Sequence, residues 1–211
     1  MDHLIIAISR EFGSGGKFIG EQLAQTLGVP FYDKMLLQLT AQRSGLSPDF
    51  LEKSEEQASG SFLFNLSTAA HAASNFFYQY NVSVNDKAFF AQAAVIREIA
   101  ERGSSVIVGR CAEHVLREHK KCLKIFLHAP LDWRITQIMR DYDMSESDAK
   151  ERILRVDKGR ANYYRHYTGE TWGAVKTHDL CINTAVCGLK GAVEGILAIA
   201  REMKGDHHVI K

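Results

Sequence analysis

Five short apolar segments of the chain have the composition of β-strands. Four of them are apolar for most of their length, rather than alternating between apolar and polar residues, and the second is the weakest of the five. Continuous apolar strands are typical of a parallel sheet that helices cover on both faces. The segments are 4–9 (LIIAIS), 29–32 (VPFY), 105–108 (SVIV), 123–128 (LKIFLH) and 180–183 (LCIN).

Segments with helical periodicity separate these strands. Ile19, Leu23 and Leu27 recur at four-residue spacing after Lys17, and Gly28 ends this first helix. Strands that alternate with helices predict an α/β fold with a parallel sheet. Further helices are predicted over 86–102, over 131–142, from a cap at 145–148 toward residue 165, and over 188–203.

Two segments do not fit this alternation. Residues 47–85 are long and rich in aromatic side chains, and we predict that they form helices inserted between the second and third strands. Residues 150–165 carry six basic and two acidic side chains, although the whole chain has a net charge of only +1. A solvated helix face is the ordinary explanation of such a cluster. Repulsion among the six cations favours a polyphosphate partner instead.

Composition and charge narrow the class of protein. A chain of 211 residues that is 45% hydrophobic and 24% charged fits one globular domain, which we place at 1–211. No apolar run approaches the roughly 18 residues of a membrane span, and the first residues lack the basic start of a signal peptide. The near-neutral net charge argues against a nucleic-acid partner.

The four cysteines form no C-x-x-C pair and no zinc-finger spacing. We therefore expect free, buried thiols in a reducing compartment, which predicts a cytoplasmic protein. The cysteines are Cys111, Cys122, Cys181 and Cys187.

A glycine-rich segment, SREFGSGGK at 9–17, joins the first predicted strand to the first helix. This order of elements is typical of a P-loop, in which backbone amides, a helix N-terminus and a lysine bind phosphates. Glu11 stands where the strict pattern G-x-x-x-x-G-K-[ST] has its first glycine, and Phe18 where it has the magnesium-binding hydroxyl. The alternative is a glycine turn without a ligand. The predicted phosphate site consists of Gly13, Ser14, Gly15, Gly16 and Lys17.

Two further side chains follow predicted strands at the edge where ligands of open α/β sheets bind. Arg110 follows the third strand and is a candidate for gripping a phosphate, with a surface ion pair as its alternative. Asp33 follows the second strand and is a candidate for reading a substrate hydroxyl or base, with a helix N-cap as its alternative.

Together these segments resemble the cytidylate kinase-like proteins of the nucleoside monophosphate kinase group. The resemblance implies a five-stranded parallel sheet of P-loop type with helices on both faces, a helical monophosphate-binding insertion at about 47–85 and an arginine-rich lid at about 145–170. It rests on the order of five stretches that span most of the chain. They are ISREFGSGGKFIGEQLA, FYDKMLL, VIREIAERGSSVIVGRCAEHVL, RVDKGRANYYRHYTG and HDLCINT.

The resemblance also implies roles for individual residues. Arg155 and Arg160 fall on the lid's catalytic arginines, and Arg110 falls on the arginine that holds the acceptor phosphate. Asp157 falls on the aspartate between the lid arginines and is expected to bind substrate. ATP and Mg²⁺ are the implied co-substrate and metal, and the residue that holds the metal is not identified. Asp33 falls where the acceptor-binding helix begins.

The acceptor stays open, because the pyrimidine-reading serine, arginine and aspartate of cytidylate kinases are missing after the second strand. A pyrimidine nucleoside monophosphate such as CMP is the first expectation. A kinase for a different small molecule is the second. A non-catalytic nucleotide-binding module is the third, favoured by Phe18 and disfavoured by the arginine-rich lid.

Overall fold

The computed structural model of the chain describes residues 3–56 and 83–204, with the side chains of 53–56 and Lys204 left aside. Five strands form one parallel sheet in the order β2-β3-β1-β4-β5. The α/β fold with a five-stranded parallel sheet is therefore confirmed. The strands are β1 (Ile5–Arg10), β2 (Phe31–Tyr32), β3 (Ser105–Val108), β4 (Cys122–His128) and β5 (Leu180–Asn183).

Helices connect the strands and cover both faces of the sheet. They are α1 (Gly16–Leu27), α2 (Lys34–Ser44), α3 (Pro48–Glu56), α4 (Val84–Arg102), α5 (Ala112–Val115), α6 (Leu131–Tyr142), α7 (Glu146–Thr168) and α8 (Thr184–Lys204), with a 3₁₀ turn at Val175–Thr177. Ser145 caps α7 as predicted, since its Oγ accepts a hydrogen bond from the Asp148 amide at 3.2 Å. Helix α8 begins earlier than predicted and is kinked at Gly188.

The central strand β1 shows why its sequence is apolar throughout. Ile5 and Ala7 pack on one face of the sheet against α4, α5 and α7, whereas Ile6 and Ile8 pack on the other face against α1 and α8. Successive strand residues point to opposite faces, so a strand covered on both sides needs apolar residues at every position. The carboxyl ends of all five strands meet at one edge of the sheet.

The predicted insertion at 47–85 lies partly outside the described residues. Its described ends are helical, in α3 and at the start of α4. Within residues 3–56 and 83–204, every helix is too short or too polar to cross a bilayer.

The cysteine prediction was correct on pairing and half correct on burial. No disulfide joins the four thiols. Burial, with a smaller effect of Glu113, raises the pKa of the buried Cys122 to about 12, which keeps this thiol protonated. Cys111 is also buried, but Cys181 and Cys187 are exposed because they lie on the edge strand β5 and the first turn of α8.

Candidate functional site

The glycine-rich loop between β1 and α1 is tightly folded. Gly13 and Gly15 have φ of +83° and +84°, which glycine adopts without steric cost, and Gly15 forms the N-cap of α1. The buried Ser14 donates its hydroxyl to the Glu11 carbonyl at 2.8 Å. Backbone amides at a helix N-terminus, held in such a loop, make an anion-binding site.

Neighbouring helices contact this loop so closely that its glycines have no room for a side chain. A Cβ on Gly13 would lie 3.1 Å from Ile138 of α6. A Cβ on Gly15 would overlap Leu189 of α8. The loop is therefore held between two helices before any ligand binds.

Glu11 stands where the P-loop pattern has its first glycine. Its side chain belongs to an ionic network around the buried Arg134. The Glu11 carboxylate accepts a hydrogen bond from the Ala129 amide at 3.0 Å and lies 3.4 Å from Nε of Arg134. The buried Arg134 guanidinium also donates to the carbonyls of Ala129 and Phe12. Glu11 is not among the residues of positive φ in the described chain, so this position needs no glycine.

Asp157 of α7 completes the network. One of its carboxylate oxygens accepts from Nη1 of Arg134, and the other accepts from the Phe12 amide at 2.8 Å. Asp157 was expected to bind substrate beside the lid arginines. Both of its oxygens instead face the loop and Arg134, so the structure gives this residue a positioning contact.

Other side chains of α7 also contact the loop. Arg160 donates from Nη1 to the Arg10 carbonyl at 3.1 Å, and its guanidinium lies 5.7 Å from the centre of the Phe12 ring. Arg152 stacks over Tyr142 at 4.2 Å and lies 5.3 Å from the same Phe12 ring. Arg155 is exposed. Of the two predicted catalytic arginines, the structure thus brings Arg160 to the loop and leaves Arg155 on the surface.

The turn after β3 places Arg110 at the same edge of the sheet. Gly109, Arg110 and Cys111 all have positive φ, at 79°, 61° and 54°. Such conformations cost free energy for non-glycine residues and concentrate at functional sites. Arg110 is only 7% exposed, and its Nη1 donates to the Leu51 carbonyl at 3.0 Å, which ties the turn to α3.

Asp33 lies beside this turn. Tyr32 of β2 pairs with Ile107 of β3, so Asp33, one residue further on, reaches the edge near Arg110. Asp33 occupies the N-cap position of α2 but makes no capping hydrogen bond with its side chain. Asp33 therefore stands at the N-cap position, as the alternative interpretation expected, but its carboxylate does not make the capping hydrogen bond.

Lys17 lies on the outer side of α1. Its side chain is 67% exposed, and Nζ lies 3.8 Å from Glu21, one helical turn further along. The ammonium group thus points toward the C-terminus of α1, whereas a phosphate would lie at the N-terminus. A role for Lys17 in phosphate binding remains a prediction.

The described residues contain no cluster of side chains that would hold a metal ion by itself. No group of three histidine, cysteine, aspartate or glutamate side chains capable of holding a metal occurs within residues 3–56 and 83–204. Phe18 stands 41% exposed where a hydroxyl was expected. A Mg²⁺ ion bound here would take its ligands mainly from phosphate oxygens and water, which are usual partners of this ion.

Two arginines of this site, Arg134 and Arg10, were not identified from the sequence. Arg134 carries a recognisable signal, because it is a charge on the apolar stripe of α6 that otherwise contains Leu131, Ile135 and Ile138. Arg10 carries no such signal, since it appears only as the polar end of an apolar strand.

Comparison with solved structures supports the fold. The chain is similar to an uncharacterised protein from Eubacterium ventriosum, with 27% identity, a TM-score of 0.68 and coverage of 93% of this chain and 98% of that one. It is also similar to a shikimate kinase from Bacteroides thetaiotaomicron, with 14% identity, a TM-score of 0.50 and coverage of 93% and 97%. The second likeness shows a shared fold alone.

Comparison of the sequences identifies the family. No curated protein matches the chain. The sequence profile of the cytidylate kinase-like family matches residues 5–186, which include the glycine loop, Arg110 and α7. The chain therefore belongs to the cytidylate kinase-like family.

Proposed function

We propose that the protein transfers the γ-phosphoryl group of ATP to a small acceptor, in the first instance a pyrimidine nucleoside monophosphate such as CMP. One observation carries this proposal: the glycine loop after β1, Arg110 after β3 and Arg160 of α7 all lie at one edge of the sheet. Phosphoryl transfer needs groups that bind the donor phosphates, a group that holds the acceptor, and a cation that neutralises charge on the transferred group. The loop amides, Arg110 and Arg160 are the candidates for these three tasks.

The donor binds at the loop. Backbone amides of Gly13, Ser14, Gly15 and Gly16, together with the N-terminal dipole of α1, face the β- and γ-phosphates. The close packing of the loop against α6 and α8 organises these amides in advance, so little ordering is needed when ATP binds. Mg²⁺, when bound, neutralises charge on the β- and γ-oxygens.

The acceptor binds beyond the end of β3. Arg110 holds its phosphate, and Asp33 contacts its sugar or base. An oxygen of the acceptor phosphate attacks the γ-phosphorus as the bond to the bridging β–γ oxygen breaks, and ADP leaves. The acceptor oxygen is already an anion, so this reaction needs no strong general base. Arg155 and Arg160 neutralise charge on the transferred group.

In this proposal one kinase-like domain spans 1–211. It contains the monophosphate-binding insertion at about 47–85 and the arginine-rich lid at about 145–170. The contact of Asp157 with Arg134 and Phe12 supports a role in holding α7 against the loop. Substrate binding by Asp157 stays a prediction beside this positioning role. The cytoplasmic location remains the prediction made from the cysteines.

The proposal is tested by ligand-induced thermal stabilisation. A ligand at about 100 times its Kd stabilises the fold by about 2.7 kcal/mol, which raises the melting temperature by several degrees. ATP with Mg²⁺ should stabilise the protein, CMP should stabilise it too, and cytidine should not. ADP release with each monophosphate then measures transfer. Stabilisation by ATP without ADP release would favour the non-catalytic module, and release with a non-nucleotide acceptor alone would favour another kinase.

Replacing Arg110 tests the acceptor site. Arg110→Ala should remove the difference between CMP and cytidine, because the phosphate then loses its charge-assisted fork. Arg110 also bonds Leu51, so the variant is expected to melt lower without ligand, and the comparison is made between ligands within each variant. Arg117→Ala removes an exposed arginine seven residues further on and should keep the difference. An unchanged CMP shift in Arg110→Ala would place the acceptor phosphate elsewhere.

A further inference from the structure

Arg10 ends β1, and its half-buried side chain crosses the mouth of the glycine loop. A Cβ built on Gly16 would lie 2.7 Å from Cγ and 3.0 Å from Cβ of Arg10. A Cβ built on Gly109 would overlap the Arg10 guanidinium. The side chain therefore runs from the end of β1, past the first residue of α1, to the turn that carries Arg110.

Gly16 is the first residue of α1 and directly precedes Lys17. Gly15 caps α1 with a left-handed φ, so Gly16 is the residue that follows the last cap glycine and opens the helix. Lys17 comes one residue later, which turns its side chain about 100° further around the helix. Its exposure and its contact with Glu21 agree with that direction.

The side chain of Arg10 fills the space that a side chain at Gly16 would enter. Its stem thus lies beside the first residue of α1, and its guanidinium lies against Gly109, the residue before Arg110. Arg160 bonds the Arg10 carbonyl and so holds the backbone from which this side chain starts.

We propose that Arg10 binds the γ-phosphoryl group of ATP and takes the part expected of Lys17. This inference rests on the proposed function and adds the identity of the cation that contacts the transferred group. A guanidinium in this place distinguishes ATP from ADP, because it contacts the one phosphate that ADP lacks. The planar guanidinium of arginine can donate two hydrogen bonds to the oxygens of a phosphoryl group, which suits that group better than the point charge of a lysine ammonium does.

The test compares binding of ADP and of the non-hydrolysable analogue AMP-PNP, each with Mg²⁺, by calorimetry. Arg10→Met keeps the aliphatic stem and removes the fork, and it should weaken AMP-PNP binding about tenfold or more with little effect on ADP. Arg117→Met, at an exposed arginine outside the site, is the matched control and should bind both ligands as the original protein does. Lys17→Met tests the competing assignment of the lysine. Circular dichroism establishes that each variant is folded.

A swap of positions tests the same inference in the other direction. Arg10→Gly combined with Gly16→Lys begins a cation at the first residue of α1 and should recover most of the AMP-PNP affinity that Arg10→Gly alone loses. This pair decides the question even if Arg10→Met does not fold.

The outcomes separate the inference from the proposed function. Loss of AMP-PNP binding in Lys17→Met, with binding kept in Arg10→Met, would overturn the inference and restore the lysine. Equal loss of ADP and AMP-PNP in Arg10→Met would also overturn it, since that result describes a damaged loop. If the original protein binds neither ligand, the proposed function fails as well.

Discussion

Arg134 joins three parts of the chain that are distant in sequence. Its guanidinium contacts the glycine loop through Phe12 and Glu11, the turn after β4 through Ala129, and α7 through Asp157. One buried cation between two partly buried carboxylates leaves each charge with a partner. Removing the cation alone leaves the carboxylates unpaired and repelling each other.

Arg134→Met should therefore destabilise the protein strongly. Loss of one member of a buried ionic group costs about 3–5 kcal/mol in the free energy of unfolding. Urea denaturation measures this change. Arg140→Met is the matched control on the same helix, because Arg140 is 67% exposed and contacts the neighbouring side chains of Asp141 and Gln137. That control should change stability by less than about 1 kcal/mol. Equal stability of the two variants would show that the network contributes little.

At the scale of elements, α7 is the helix that connects the two halves of the site. Its middle bonds the loop through Asp157 and Arg160, and its end packs on α4, where Tyr167 stacks on Phe89 with ring centres 4.1 Å apart. Because α7 is held at its middle and at its end, its arginines move together with the helix. Movement of α7 would therefore change the donor loop and the helix beside the acceptor site together.

The arginines of α7 should act on kcat more than on the KM for ATP. An arginine that stabilises the charge of a transferred phosphoryl group contributes about 10³–10⁵ in rate. Arg160→Ala should lower kcat toward that range, and Arg155→Ala tests whether an exposed arginine moves in during the reaction. Lys150→Ala, an exposed cation in the first turns of α7, serves as the control. A loss confined to KM would mean that these arginines bind ATP and its transition state equally.

At the scale of the whole molecule, the short connection between α7 and β5 contains a buried histidine that links folding to pH. His178 directly follows the 3₁₀ turn. Its ring is buried, and Nδ1 lies 3.0 Å from the Ala174 carbonyl oxygen. Burial lowers the pKa of His178 below its ordinary value of 6.5. The folded protein therefore takes up this proton less readily than the unfolded chain does.

This shift predicts a loss of stability in mild acid. The contribution of His178 is complete above pH 6.5 and falls as the pH drops below that value, because the unfolded chain then gains a proton that the folded chain refuses. The slope from one group is at most about 1.4 kcal/mol per pH unit. His178→Gln should flatten the curve of unfolding free energy between pH 7 and 5. Parallel curves for the two proteins would show that other groups cause the acid sensitivity.

Local patterns in the sequence were sufficient for the five strands, for the helices α1, α4, α6 and α7, and for their order. The runs SVIV and LCIN became β3 and β5 with the predicted bounds, and the helix predicted over 131–142 has those bounds in α6. Burial on both faces leaves a continuous apolar run, and a helix stripe or cap leaves its mark within a few residues. The family resemblance was confirmed for the same reason, since it rests on the order of such segments.

Partners across the sheet were decided by the tertiary structure alone. Glu11 and Asp157 lie 146 positions apart in the sequence, and no local pattern shows that both contact Arg134. The direction of a long side chain depends likewise on which neighbour leaves it room, as Gly16 and Gly109 do for Arg10. The sequence by itself determined the five strands, most of the long helices and the glycine-rich loop that follows β1. Packing determined which cation lies at its mouth, because that depends on space and charge contributed by residues far along the chain.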